Sequence, residues 1–252
     1  MFKILIFALS FLFIFISNLY AQSNITKLSE VIVSGESELN SELSGVESNK
    51  IYSGKKASVT DLKNLPSVAA NNYRQVFSQT PGLFTSEVSN ESFVSFNFRG
   101  LGDPHESFNL NILKDGIPLS ADLFGYPANY YQPPVDAVDR VEFVRGGASL
   151  LYGPKVGGSL NFITREPTEE TVFRSKNIVG ERGLFTTHNE VSGTEGNLGY
   201  LAYFNHKQSN GFRTENSDFQ VSNAHIQLKN QISDDTSLKL TLDAYDLSLI
   251  HI

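Results

Sequence analysis

The stretch that decides the fold is VDRVEFVRGGASLLYGPKVGGSLNFITREP, residues 138–167. Two β-prone runs flank a loop that is rich in glycine. A phosphate-binding loop needs a lysine and then a hydroxyl residue after its last glycine, at the start of a helix. Here Lys155 precedes Gly157-Gly158, and Ser159 opens a strand. The pattern therefore argues against a phosphate site and predicts tight turns in a closely packed β structure.

Composition limits the classes of protein that need to be considered. The chain has 252 residues, of which 40% are hydrophobic and 19% charged, enough for one large folded domain or two ordinary ones. Abundant glycine, phenylalanine and tyrosine favour β structure. A net charge of -7 without a basic cluster argues against a nucleic-acid partner. The absence of cysteine excludes disulfides, thiolate metal sites and cysteine nucleophiles.

The N-terminus has the pattern of an exported protein. Residues 1–21 read as a secretory signal peptide, with a short positive start, an apolar run over 4–16 and Ala21 before polar chain. A membrane anchor is the alternative, but the run is shorter than the ~20 residues that a spanning helix needs. Residues 22–60 are predicted to be a flexible leader. Its β-prone island, residues 28–35, is either an edge strand of the next domain or a strand that docks on another protein's sheet.

Residues 61–168 are predicted to form one compact α+β unit. Apolar spacing predicts a helix over Val68–Thr80, which Pro81-Gly82 ends. Asp115-Gly116 is predicted to be a structural turn, because the turn needs positive φ and the aspartate caps it. A single helical turn is predicted over Val135–Val138. Alternating or apolar runs predict four strands, over residues 93–100, 109–113, 140–144 and 159–166.

Residues 169–246 change to long amphipathic strands, about five in number. In TSLKLTLDAY, residues 236–245, leucines alternate with Lys239, Thr241 and Asp243. Such strands suit a barrel whose outer face meets lipid. A soluble antiparallel sheet with one wet face is the alternative, and strand length favours the membrane. Residues 247–252 receive no structural interpretation, because LSLIHI resembles translated sequencing-adaptor sequence.

Four motifs, in this order, resemble TonB-dependent outer-membrane receptors. SEVIVSG (29–35) is similar to the TonB box, FNFRG (96–100) and KDGIPL (114–119) resemble two plug motifs, and residues 138–167 resemble the end of the plug. Within the family, residues 115–127 and 144–162 look most like the ferric citrate branch. The resemblance implies an α+β plug domain followed by the first strands of a transmembrane antiparallel β-barrel. Since such barrels have ~22 strands, the chain is expected to be an N-terminal fragment.

The resemblance implies a function without chemistry or a cofactor. It predicts TonB-dependent uptake of a ferric chelate, either ferric citrate or a related siderophore, across a Gram-negative outer membrane. The expected partners are the TonB protein, the ferric chelate and outer-membrane lipid, with the plug in the lumen and the leader in the periplasm. A leader too short for a folded signalling domain predicts transport without transcriptional signalling. A receptor for a non-iron nutrient and a soluble exported plug-like binding module are the alternatives.

Residue roles follow from the same resemblance. Arg99 and Arg145 would latch the plug by pairing with carboxylates of the barrel wall. The residues expected to contact TonB are Glu30, Val31, Ile32 and Val33. The structural turns are placed at Gly100, Asp115, Gly116, Gly146, Gly153, Gly157 and Gly158. The candidate ligand contacts are Tyr126, Asn129, Tyr130 and Tyr131, for which packing of their own loop is the alternative.

Neither catalysis nor a resident metal is predicted. Asp103, His105 and Ser107 lie close in sequence, but a catalytic triad is defined by spatial arrangement and no nucleophile elbow is present. His105 beside Asp103 supplies too few ligands for a metal site.

Overall fold

The computed structural model describes residues 57–63, 65–78, 80–87, 94–100, 109–119, 131–146, 153, 155–213 and 215–249, and the backbone of three short strands between residues 40 and 51. All of them belong to one compact unit that begins at Ser37. Within these ranges no helix is long and apolar enough to cross a membrane. We call residues 57–167 the plug module and the five strands after them the wall sheet.

The described residues ahead of the wall sheet form ten short strands, one helix and one 3-10 turn. The strands are β1 (Asn40–Ser41), β2 (Val46–Glu47), β3 (Lys50–Ile51), β4 (Ala57–Asp61), β5 (Leu83–Glu87), β6 (Val94–Phe98), β7 (Leu110–Lys114), β8 (Ile117–Pro118), β9 (Val138–Arg145) and β10 (Gly158–Thr164). The helix α1 covers Tyr73–Val76, and the 3-10 turn covers Val135–Ala137. Six strands form one sheet in the order β1-β4-β9-β10-β7-β8, in which β10 runs parallel to β7. β5 and β6 form a separate hairpin.

One face of the six-stranded sheet carries an aromatic core. Alternate residues of β9 and β10 bury their side chains there, among them Phe143 and Phe162 at 2% and 0% exposure. Tyr73 of α1 meets the Phe162 ring edge-on at 5.4 Å between centroids. Aromatic pairs in this arrangement contribute beyond the area they bury. The alternate apolar side chains of β9 and β10 therefore form the surface on which α1 packs.

The glycine loop before β10 lets the chain pass close to its neighbours. Gly158 has φ +112°, and a Cβ there would lie 2.2 Å from the carbonyl oxygen of Val144. A Cβ on Gly157 would meet the carbonyl oxygen of Asn109 at 2.7 Å. These contacts require residues without a side chain. Positive φ also occurs at Gly100, Gly116, Gly146 and Gly153.

The Asp115-Gly116 turn joins β7 to β8 and is tied to β10. Both residues have positive φ, as a two-residue type I′ hairpin requires. Asp115 Oδ1 accepts from the Thr164 backbone N–H at 2.8 Å, and Oδ2 accepts from the Thr164 hydroxyl at 2.7 Å. The carboxylate thus fixes the turn and the end of β10 together.

Asp115→Ala is expected to destabilise the plug module by about 2 kcal/mol, because it removes two hydrogen bonds to a carboxylate and places alanine at positive φ. Asp115→Asn, which keeps an acceptor and tolerates that φ, should cost clearly less. Urea denaturation of the two variants tests this ranking, and equal losses would contradict it.

The helix is shorter than the sequence predicts. Instead of Val68–Thr80, it covers only Tyr73–Val76. Ala70 and Asn71 have φ of 48° and 58°, which a right-handed helix excludes. The side chain of Asn71 stabilises this backbone by accepting a hydrogen bond from the Val135 N–H at 3.0 Å. Spacing alone does not reveal such a tertiary contact.

The wall sheet is an antiparallel meander in chain order. Its strands are β11 (Val172–Val179), β12 (Phe185–Glu195), β13 (Leu198–Ser209), β14 (Phe219–Ser233) and β15 (Thr236–Leu249). Outward leucines on β15 are exposed, with Leu238, Leu240 and Leu242 at 61%, 64% and 65%. Inward polar residues are covered, with His225 and Gln227 at 1% and 0%. The polar face therefore lies against the plug module and the apolar face points away from it.

Two boundaries differ from the sequence prediction. β4 begins at Ala57, inside the predicted leader, because its five residues pair with β9 and the first four of them are buried. β15 continues through Leu249, beyond the predicted end at residue 246, because Leu247 and Leu249 pair in register with Val221 and Phe219. Residues 250–252 lie outside the described residues.

Candidate functional site

One buried ion pair between the plug module and the wall sheet centres on Lys114. This residue ends β7 and is 7% exposed. Its ammonium group donates to Oδ1 of Asp243 on β15 and to the Tyr131 hydroxyl at 3.2 Å. His225 Nδ1 lies 2.8 Å from the same Asp243 oxygen. A buried cation of the plug module is thus neutralised by a carboxylate of the wall sheet.

Tyr131 completes this cluster from the plug side. Its ring meets Tyr245 of β15 edge-on at 4.9 Å between centroids. Burial, and then the nearby Asp243 charge, raise the pKa of Tyr131, so its phenol stays neutral and accepts from Lys114. Tyr131 is thus in contact with Lys114 and Tyr245. Such packing, rather than ligand contact, is the alternative role for this residue. The other three ligand candidates, Tyr126, Asn129 and Tyr130, lie outside the described residues.

A second contact joins the start of the wall sheet to the plug module. Lys176 of β11 lies 2.8 Å from Asp136 and also donates to the Val68 carbonyl oxygen. Beside it, the Asn71 side chain donates to Asn205 of β13 at 3.3 Å. The short 3-10 turn and the segment before α1 are therefore both attached to the inner wall.

A buried carboxylate of the wall sheet faces the end of the plug module. Glu190 of β12 is 1% exposed and pairs with Arg174 of β11. Arg165, next after β10, places a guanidinium nitrogen 3.9 Å from Glu190, and His188 lies 3.5 Å from it. One wall carboxylate therefore holds cations from both parts of the chain.

Glu166 forms the most solvent-exposed of these contacts. Its side chain is 52% exposed and pairs with Lys229 at 3.0 Å and Lys239 at 3.3 Å. Burial opposes ionisation, but hydrogen bonds and charge from the two lysines prevail and lower the pKa of Glu166 below its usual 4.5. The pairing therefore favours the charged carboxylate at neutral pH.

Glu166→Gln is expected to lower the free energy of unfolding by less than about 1 kcal/mol, because solvent screens an exposed pair. Since the folded-state pKa is the lower one, the contribution is present above pH 4.5 and is lost as pH falls through that folded value. Thermal denaturation at neutral and acid pH should show the variant and wild type converging in acid. A constant difference would contradict this.

The two arginines predicted to latch the plug have local partners in the described residues. Arg145 donates to the Ser58 hydroxyl at 2.7 Å, and its guanidinium lies 5.3 Å from the Phe143 ring centroid. Arg99 is exposed and lies 5.0 Å from the centroid of Phe98. Within the part of the chain that the structure describes, the plug–wall ion pairs are instead made by Lys114, Asp136, Arg165 and Glu166.

Across the described ranges, no three histidine, cysteine, aspartate or glutamate side chains gather as metal ligands. The described plug–wall interface combines ion pairs and hydrogen bonds with aromatic and apolar contacts. The sequence carried a weak signal for it, because Lys114 ends an apolar strand and Asp243 lies mid-strand on a polar face. The register that brings them together could not be read from either strand alone.

Comparison with known proteins matches this architecture. The family model of the TonB-dependent receptor plug domain matches residues 50–159. This chain carries the plug domain of a TonB-dependent receptor. The vitamin B12 transporter BtuB of Photobacterium profundum is 24% identical over 202 residues, covering 75% of this chain and 31% of that protein. The ferripyoverdine receptor of Pseudomonas aeruginosa is 32% identical over 113 residues, covering 44% of this chain and 13% of the receptor.

Solved structures extend the likeness beyond the plug domain into the wall sheet. The pyoverdine outer membrane receptor FpvA of Pseudomonas aeruginosa superposes with a TM-score of 0.61 at 26% identity, over 75% of this chain and 27% of that one. The unliganded ferric citrate transporter FecA gives a TM-score of 0.63 at 24% identity, over 76% and 31%. The plug domain followed by the first antiparallel barrel strands is thus the fold of this chain. It spans less than a third of these relatives' lengths.

The match of residues 50–159 to the plug domain makes the class of these relatives relevant to this chain. The relatives are transport receptors of the Gram-negative outer membrane and are not enzymes, and this chain is assigned to the same membrane. The TonB box residues, 29–35, lie outside the described residues.

Proposed function

We propose that the protein takes up a ferric chelate across the outer membrane in a TonB-dependent manner. The observation that carries the proposal is a plug domain whose buried cation, Lys114, is held by the polar inner face of a sheet with exposed leucines outside. That arrangement supports a plug inside a lipid-facing barrel. The soluble-module alternative is disfavoured, because it would leave those leucines in water.

The proposed coupling element is the segment Glu30 to Val33, in a leader ahead of the plug domain. An extended apolar strand can pair with an exposed sheet edge of TonB through backbone hydrogen bonds. The proposed layout is a signal peptide over 1–21, a leader over 22–60, a plug over 61–168 and barrel strands after it. Arg99 and Arg145 are proposed to pair with acidic groups on barrel strands beyond those described.

The proposed substrate class is a ferric chelate. The similarity to the ferripyoverdine receptor, 32% identical in the aligned region, supports that class. The similarity to FecA, at 24% identity, concerns the fold, so ferric citrate is one candidate chelate among several. The similarity to BtuB favours a second candidate function, TonB-dependent uptake of a non-iron nutrient such as a corrinoid.

An uptake assay separates these functions. The intact gene would be expressed in a Gram-negative strain without its own siderophore and corrinoid receptors. Cells would then receive radiolabelled ferric citrate, ferripyoverdine or vitamin B12, with TonB present or deleted. TonB-dependent accumulation of an iron chelate supports the proposal. Accumulation of the corrinoid alone favours the second function, and no accumulation of any substrate contradicts ferric uptake for the chelates tested.

A further inference from the structure

One oxygen atom of the wall sheet accepts from two donors of different origin. Asp243 Oδ1 receives the Lys114 ammonium from the plug domain and lies 2.8 Å from Nδ1 of His225 on the neighbouring strand. The Lys114 Nζ and the His225 Nδ1 are themselves 3.4 Å apart. The plug cation and the wall imidazole therefore share one acceptor at contact distance.

One ring nitrogen of His225 is able to accept a further proton. The residue is 1% exposed, and among the described residues its Nε2 has no hydrogen-bond partner. When Nδ1 carries the hydrogen that Asp243 accepts, Nε2 is the basic nitrogen of a neutral imidazole. The aromatic face of Tyr203 on β13 stacks on the ring at 5.0 Å between centroids.

Among the residues that the structure describes, the titratable and charged groups facing this imidazole come from both the wall sheet and the plug domain. The wall sheet supplies Asp243 and Tyr245 from β15 and Tyr203 from β13, beyond which lie His188 and Glu190 of β12. The plug domain supplies Lys114 from β7, Tyr131 and the more distant Asp115. Lys114 is the cation in direct contact with His225, and Asp243 is the carboxylate that both groups share.

We propose that His225 is a proton-operated positioning residue that competes with Lys114 for Asp243 and so loosens the plug domain in acid. A proton taken from solvent at Nε2 turns the ring into an imidazolium whose Nδ1–H still donates to Asp243. The ring's positive charge then lies against the Lys114 ammonium, and one carboxylate serves two cations. His225 and Asp243 sit on adjacent strands of the same sheet, so the partner that separates is the lysine of the plug.

The direction of the effect follows from linkage. With the plug docked, Lys114 repels the additional proton, whereas with the plug displaced that repulsion is gone. The displaced state therefore binds the proton more readily, and lowering the pH favours displacement. The test therefore compares about pH 7.5 with about pH 5.5, because histidine side chains in general change charge between about pH 5 and 8.

This inference rests on the proposed function, in which the plug must move, but its test measures plug docking alone. The 252 residues contain no cysteine, so a thiol placed in this region is the only one there. Ala137 is 3% exposed and packs against Leu201 and Tyr203 of the wall sheet. Ala137→Cys in the full receptor, held in outer-membrane vesicles, reports plug displacement through its rate of labelling by an uncharged maleimide. Dividing by the rate of an exposed Ser237→Cys removes the intrinsic pH dependence of the thiol.

The normalised rate should rise about threefold to tenfold between about pH 7.5 and pH 5.5. His225→Gln cannot take up the proton and should abolish that rise, while its labelling at pH 7.5 stays low if the receptor folds. His206→Gln changes a histidine on the outer face of the wall and should keep the full rise. Lys114→Met removes the competing cation, so its normalised labelling rate should be the same at about pH 7.5 and about pH 5.5.

A pH-dependent rise that persists in His225→Gln would overturn the inference, and so would a flat wild-type profile. Neither result would touch the uptake proposal, which is measured separately with labelled substrates. Heat-modifiable migration of each variant on gels verifies that its barrel has folded before the labelling rates are compared.

Discussion

Asp243→Asn is expected to weaken plug docking by about 3 kcal/mol, since it leaves the Lys114 ammonium buried without a counter-charge. Lys114 is 7% exposed, so water cannot readily replace the carboxylate. The Asp243 side chain is 39% exposed, which places the expected loss at the low end of the range for breaking a buried pair. The urea concentration at which the Ala137→Cys reporter becomes reactive measures this loss.

The matched control for Asp243→Asn is Asp246→Asn, three residues further along the same strand. Asp246 pairs across the strands with Ser222, is exposed, and should shift the urea midpoint little. The double variant Lys114→Met/Asp243→Leu should recover much of the loss, because an apolar pair leaves no uncompensated charge. Equal midpoints for the two asparagine variants would show that the Lys114–Asp243 pair does not hold the plug.

The elements with a strong period were predictable from sequence. The alternation of residues 236–245 predicts a strand there, and β15 covers Thr236–Leu249. The motif around Gly157-Gly158 predicts that the backbone passes close to neighbouring chain segments. In the structure, the atoms nearest to a Cβ at these positions are the carbonyl oxygens of Val144 and Asn109. These signals lie within short stretches of sequence, so they can be interpreted without knowledge of the tertiary structure.

The elements that depend on tertiary contacts were not predictable. The helix prediction over Val68–Thr80 did not anticipate that Val135 and Asn205 would stabilise a left-handed Asn71. β5, Leu83–Glu87, is not predicted as a strand. It depends on backbone hydrogen bonds to β6, which its own sequence does not reveal. The site depends even more on register, since Lys114 and Asp243 lie 129 residues apart in the chain.

The candidate site also shows that charge type alone does not identify the plug–wall ion pairs of the described residues. Arg99 and Arg145 attract attention because each precedes a glycine at the end of a strand. In the structure, Arg145 donates to Ser58 within its own sheet, whereas the buried cation at the wall is a lysine beside a turn. Burial, which sequence does not supply, decides which charge needs a partner across the interface.

Ile32→Pro is expected to abolish substrate uptake, with a decrease of about tenfold or more, while leaving substrate binding unchanged. The proposed TonB box works by strand addition, in which backbone N–H groups supply the pairing. Proline removes one of those donors and cannot sit inside a paired strand. Uptake of the labelled substrate by whole cells, and equilibrium binding to isolated outer membranes, measure the two steps separately.

Two substitutions in the same leader make the Ile32→Pro result specific. Ser37→Pro changes the chain just beyond the proposed box and should leave uptake near the wild-type rate. Ile32→Val keeps the β-branched side chain and the backbone donor, so it should also transport. If Ile32→Pro takes up substrate at the wild-type rate, the coupling element lies elsewhere in the chain. Loss of binding together with uptake would instead indicate that the leader contributes to the substrate site, because a coupling strand acts after the substrate is bound.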